Sequence, residues 1–130
     1  MTPQCEKGKN RKRIELGRKG EDIAQEYLED RGYELVGRNE RVGHSDIDIL
    51  ARDKEILVFV EVRTRSVEDR GMPEETLNAK KLKRMRKTAE IYMALHRYEG
   101  AARLDAVCLI LEEGDKVSHF KHYSSVGVDP

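Results

Sequence analysis

Asp46, Asp48 and Glu61 interrupt two β-branched apolar runs, residues 47–51 and 56–62, in which strand side chains would otherwise be buried. A carboxylate in such a place needs a partner, because an uncompensated buried charge is costly. The runs are separated by Arg52 to Glu55 and read together as a β-hairpin. If the hairpin turns at Lys54 and Glu55, Asp48 faces Glu61, Leu50 faces Phe59 and Asp46 faces Arg63. Directly opposite residues have Cβ atoms about 4.5 to 5.5 Å apart, which suits two carboxylates gripping one cation. Magnesium binds oxygen at about 2.0 to 2.1 Å, keeps several waters, and holds on through one or two carboxylates and a substrate phosphate. Metal-assisted phosphodiester hydrolysis is the chemistry that follows, with Mg²⁺ or Mn²⁺ as the expected cofactor. The register is decisive, since Lys-Glu is not a diagnostic hairpin turn and a slip of one residue sends the two acids to opposite faces.

Arg63 lies two residues after Glu61 and so shares its face. It can hold a phosphate through two hydrogen bonds, but a guanidinium does not act as a general base as a lysine amine can, so its expected role is electrostatic. Glu21 sits in the first turn of a predicted helix, about 20° around the axis from Leu28, on the edge of the apolar stripe. From there it either reaches the active end of the sheet or complements the helix dipole. The competing account of Asp46, Asp48, Glu61 and Arg63 is a buried ion-pair cluster that fixes strand register without metal. Two facing acids beside one base leave excess negative charge, which favours a cation.

The cations are segregated. Residues 1–20 hold seven basic side chains against two acidic ones, and residues 63–87 hold nine against four, although the whole chain is neutral. Lys80, Lys81, Lys83, Arg84 and Lys87 follow, through one loop, the strand carrying Glu61, Arg63 and Arg65. Such a run is often the solvated face of an amphipathic helix. Its closeness to the acidic pair favours phosphate binding, with DNA as the expected partner. His44 is an ordinary loop histidine by position. His119 and His122 are three apart in a predicted strand and so point to opposite faces. Gly17 to Gly20 before a helix is a weak anion signal on its own.

The elements that must position these residues are legible in outline. With 130 residues, 38% of them charged, no Trp and two Phe, the chain fits one domain whose core rests on aliphatic residues and Tyr. No segment has the roughly 20 apolar residues of a membrane span, and the charged start lacks the apolar centre of a secretion signal. A cytoplasmic protein is expected, with a homodimer as the assembly to look for. Cys5 and Cys108 are too far apart in character for a disulfide framework or a zinc site. Residues 1–13 read as a flexible basic arm, 14–123 as the domain and 124–130 as a frayed end. Within the domain a helix ends near Arg31 at a Gly32 cap, and Tyr33 to Val36 is a short strand. Gly37 to Gly43 is a polar turn, followed by the hairpin. Residues 64–73 form a loop, about 75–97 a second helix, and 104–111 and 117–122 two strands.

Taken in order, Gly17-Arg18-Lys19-Gly20-Glu21, Arg38-Asn39, Ser45-Asp46-Ile47-Asp48, Phe59-Val60-Glu61-Val62-Arg63-Thr64-Arg65, Gly71-Met72-Pro73, Lys80 and Arg103-Leu104-Asp105 resemble the YraN family of bacterial proteins. That family lies within the restriction-endonuclease-like superfamily, which includes archaeal Holliday junction resolvases. The resemblance implies an α/β restriction-endonuclease-like core of helix, three strands, helix and strand, here with an added C-terminal strand. It also implies a metal site similar to a PD-(D/E)xK pattern, with Asp48 and Glu61 in the acidic slots and Arg63 in the lysine slot. Glu21 takes the place of the helix glutamate of the resolvase branch, and Asp46 is an auxiliary acid. Two departures stand out: Ser45-Asp46 replaces a frequent Gly-Glu, and Arg63 replaces the usual lysine. The expected activity is Mg²⁺-dependent cleavage of DNA, including branched DNA. A binding module without turnover and a purely structural interaction protein are the alternatives.

Overall fold

A computed structural model describes residues 3–126, with side chains from Asn10 onward. Its elements are α1 (Pro3–Asp30), β1 (Glu34–Val42), β2 (Ser45–Asp53), β3 (Ile56–Ser66), α2 (Ala79–Leu95), β4 (Ala102–Leu111) and β5 (Val117–Tyr123). A short 3-10 turn, Pro73–Thr76, precedes α2. The strands form one mixed sheet in the order β1-β2-β3-β4-β5, antiparallel except for the β3–β4 pair. This is the expected order of helix, three strands, helix and strand, with β5 added at the edge.

Each face of the sheet is covered by one helix because β2 and β3 are apolar on both sides. Ile49, Val58, Val60 and Val62 pack with Val107 and Leu109 under Ala24 and Leu28 of α1. Leu50, Leu57 and Phe59 pack on the other face against Ala89, Tyr92 and Met93 of α2. α1 ends where Tyr33 N–H donates to Leu28 O at 2.9 Å, with Gly32 at φ 91°, the left-handed conformation that glycine adopts without penalty. α2 begins at Asn78, whose side chain accepts from Lys81 N–H at 2.9 Å.

Several boundaries differ from expectation. β1 runs through the segment that reads as a polar turn, because an edge strand facing water needs backbone pairing more than apolar side chains. β3 continues to Ser66 by parallel pairing with β4, up to Leu111. The stretch read as an arm is helical from Pro3 within the described residues. At the other end Ser125 N–H donates to Asp105 and Val126 N–H to Leu104 O, so the chain is tied down beyond Tyr123. Residues 127–130 of the expected frayed end lie outside the described residues. Among the described residues no helix is long and apolar enough to cross a membrane.

Candidate active site

The site begins with a parting of strands. β2 and β3 pair from Asp53↔Ile56 to Ile49↔Val60, the register set by a turn at Lys54 and Glu55. Past Ile49, β2 stays with β1 through Val42↔Ser45, while the β3 ladder runs on with β4. Asp48 fills the vacated hydrogen-bonding position: its Oδ2 accepts Val62 N–H at 2.9 Å. A cleft of about 370 Å³ opens there, walled by Asp48 and Glu61, by Glu21 of α1 and by Lys81 and Arg84 of α2.

Burial and mutual repulsion set the electrostatics. Burial, then the charge of Glu61, pushes the Asp48 carboxyl up to about 7; Glu21 adds to the shift, while Val62 N–H and Lys81 oppose it. The Glu61 side chain is nearly inaccessible, and its Oε2 lies 3.1 Å from Arg63 Nη1 and 3.4 Å from Lys81 Nζ. Arg63 is further fixed by donating from Nε to Thr76 Oγ1 at 2.7 Å, and Thr76 donates in turn to Pro73 O. The turn after Gly71-Met72-Pro73 thus locks the arginine that follows Glu61.

Glu21 reaches the cleft because α1 lies unusually close to β3. A Cβ on Gly20 would overlap Thr64 Oγ1 and stand 2.9 Å from Thr64 Cβ, so only glycine permits this approach. Arg38 of β1 then holds Glu21 at 3.2 Å and Asp22 at 2.6 Å.

Asp46 is a correction. It does not face Arg63; it is half exposed on the β1–β2 hairpin, with Arg41 Nη1 3.6 Å away, because β2 has left β3 by that point. It still lines the outer cleft, as does His44. Of the basic residues read as phosphate contacts, Lys80, Lys83, Arg84 and Lys87 are exposed, whereas Lys81 turns inward to Glu61. Arg65 braces the loop by donating to Arg70 O. His119 and His122 point to opposite faces, toward Glu74 and Asp105 respectively.

Three contributors act otherwise than their sequence setting suggests: Lys81, expected on phosphate, faces Glu61, and Arg38 and Thr76 carry no expected role at the site. Lys81 is four residues before Met85 and seven before Thr88, in phase with the inward stripe, and that spacing was its signal. Arg38 was hidden in the presumed turn. Thr76 carries no sequence signal. Arg103 and Asp105, matched only by resemblance, form a separate lock: Asp105 is fully buried and takes hydrogen bonds from Arg103, His122 and Ser125 N–H.

The donor set suits a hard divalent cation: two carboxylates on facing strands, one of them with its pKa raised by burial and then by its neighbour's charge. Among the described residues no three His, Cys, Asp or Glu side chains converge on one point. A cation held here would have Asp48 and Glu61 as its protein ligands and water or phosphate for the rest, a normal arrangement for magnesium.

A family model described as "Uncharacterised protein family UPF0102" matches residues 20–109. The chain belongs to the UPF0102 family. This is the YraN family that the motifs resemble. The chain is 41% identical over 108 residues to a UPF0102 protein of Bacteroides thetaiotaomicron, covering 82% of this chain and 89% of the relative. It is 45% identical over 97 residues to one of Leifsonia xyli, covering 74% and 82%. A third, from Carboxydothermus hydrogenoformans, is 38% identical over 117 residues, covering 88% and 96%. The UPF0102 match opens at Gly20, the close-approach glycine, and takes in Glu21, Asp48, Glu61, Arg63 and Lys81.

Proposed function

We propose that this UPF0102 protein is a Mg²⁺-dependent nuclease that hydrolyses phosphodiester bonds in DNA, including structured or branched DNA. The observation that carries this reading is the cleft where β2 leaves β3, which half-buried Asp48 and buried Glu61 line together beside the cations of α2. When bound, Mg²⁺ supplies charge neutralisation at the scissile phosphate and an activated water. Asp48 and Glu61 would hold it. Lys81, fixed by the Asn78 cap and directed at Glu61, places an ammonium group where the superfamily's lysine is missing from β3. It stabilises charge on the phosphate in flight. Arg63 keeps its positive charge throughout and orients Glu61. Glu21, held by Arg38, offers an acceptor that orients water at the cleft wall. Lys80, Lys83, Arg84 and Lys87 grip flanking phosphates, and these contacts make affinity salt-dependent.

A second reading, a DNA-binding module without turnover, is favoured by one feature: Arg63 cannot deprotonate and is immobilised by Thr76. Labelled duplex, single-stranded and four-way-junction DNA, incubated with the protein and Mg²⁺ or Mn²⁺, separate the two. Cleavage that is lost in Asp48→Ala is expected. Binding of all substrates without cleavage favours the second reading, and cleavage undiminished by Asp48→Ala overturns the assignment of the site.

A further inference from the structure

α1 is longer than the sheet it covers. It spans Pro3–Asp30, yet the first side chain packed on the core is Leu16, and every residue from 10 to 15 is exposed. At about 1.5 Å per residue, roughly 20 Å of helix precedes the packed part. The overhang starts at the cleft, since Glu21 lines it and Gly20 is seated on Thr64.

Its described surface is mainly cationic, with Arg11, Lys12 and Arg13 against Glu15 alone and Arg18 adjoining them. Arg11, Lys12, Arg13 and Arg18 have no acidic partner among the described residues, whereas the neighbouring Lys19 is paired with Asp115 at 2.9 Å. Arg11, Ile14, Arg18 and Glu21 follow at intervals of three and four, so they form one row along the helix that ends in the cleft. Ile14, 62% exposed, is the apolar member of that row. A polar helix without a core to pack on is marginal in water, and a partner that covers it stabilises it. The partner that matches unpaired arginines continuing a row from a phosphodiester-cleaving cleft is a polyanion of regular charge spacing.

We infer that the overhang of α1 is a second wall for duplex DNA, with Arg11 and Arg18 on backbone phosphates beyond the cleft; this rests on the nuclease reading and extends its footprint. At about 3.4 Å per base pair, an overhang of roughly 20 Å adds about six base pairs to the bound length. Lys80, Lys83, Arg84 and Lys87 grip the duplex from the α2 side of the sheet, and α1 grips it from the other.

The test is fluorescence anisotropy of wild type and the double variant Arg11→Ala, Arg18→Ala on 10- and 30-base-pair duplexes over a salt series. The melting temperature of the variant should equal that of wild type. On the long duplex the variant is expected to lose about tenfold in affinity, and its log–log salt slope should fall in magnitude by about two. On the short duplex the two proteins should agree. A variant indistinguishable from wild type on the long duplex, with wild-type binding and cleavage intact, overturns the inference and leaves the nuclease reading standing. Equal losses on both lengths also overturn it. If Ile14→Asp dissolves a dimer while the arginine variant binds normally, the overhang is a self-association surface instead. Absence of wild-type binding to any DNA overturns both readings.

Discussion

Lys81 Nζ, on the first turn of α2, lies 3.4 Å from Glu61 Oε2 on β3, so an ammonium group enters the acidic cleft from the helix rather than from the strand. Arg63, two residues after Glu61, also reaches Glu61 Oε2, at 3.1 Å, but its guanidinium is tied to Thr76 Oγ1 through Nε. The two cations therefore differ in what their loss does. Lys81→Ala is expected to lower single-turnover cleavage by about 10²- to 10³-fold, the range typical for removing one preorganised group that stabilises transition-state charge. Lys81→Arg should restore DNA affinity and little of the rate. If Lys81→Ala cleaves as wild type does, the ammonium has no part in the chemistry.

The raised Asp48 pKa of about 7 has a definite sign. An unfolded aspartate titrates near 3.9, so between about pH 4 and 7 the folded protein binds more protons than the unfolded chain. In metal-free buffer this group's contribution to stability is therefore lost as pH rises through that window. Asp48→Asn, which keeps an acceptor for Val62 N–H, should melt higher than wild type at pH 8 and alike at pH 4. Thermal melts from pH 4 to 8 check this, and parallel curves contradict it. Metal affinity should weaken about tenfold per pH unit below 7, because the proton must leave first.

Asp105 titrates the opposite way. Burial alone would raise its pKa, but hydrogen bonds from His122, Arg103 and Ser125 N–H hold it below the usual carboxylate range. Its contribution is fully present above about pH 4 and is lost as pH falls through the depressed folded value. Asp105→Ala leaves Arg103 without its closest acid and should cost about 3 to 5 kcal/mol in urea unfolding at pH 7. A loss under 1 kcal/mol would show that the cluster does not hold β4 to β5 and Tyr33.

Gly20 and Thr64 form a steric pair. Gly20→Ala should destabilise by about 1 to 3 kcal/mol, as overpacking does, and should reduce cleavage by displacing Glu21. Adding Thr64→Ala removes Oγ1 from the overlap and should recover part of both losses, with a coupling energy above about 0.5 kcal/mol. Additive effects would mean that α1 does not meet β3 at this contact.

The hairpin was legible because its turn and its apolar runs agree: Leu50 does face Phe59, and Asp48 and Glu61 do open on one cleft. Asp46 departs from its expected position because the hairpin register ends where β2 changes allegiance to β1, and nothing local in Ser45 to Asp48 marks that parting. β1 is longer than its sequence suggests, since Arg38, Glu40 and Arg41 look like a turn until Arg38 is seen to serve Glu21 on α1. Lys81 is one cation of a basic run in the sequence, yet its phase with Met85 and Thr88 sets it apart from Lys80 and Lys83. The lock of Arg103 on Asp105, Asp53 and Tyr33 joins residues up to 70 apart in sequence, beyond the reach of periodicity.

The pairing of Asp48 with Glu61 as a cation site is tested most directly by following thermal melting while Mg²⁺ is titrated into wild type, Asp48→Asn and Glu61→Gln. Wild-type melting temperature should climb with the logarithm of Mg²⁺ concentration, by mass action on the folded state, and should stay flat in both variants. A flat wild-type response, or an equal rise in all three proteins, would contradict the site.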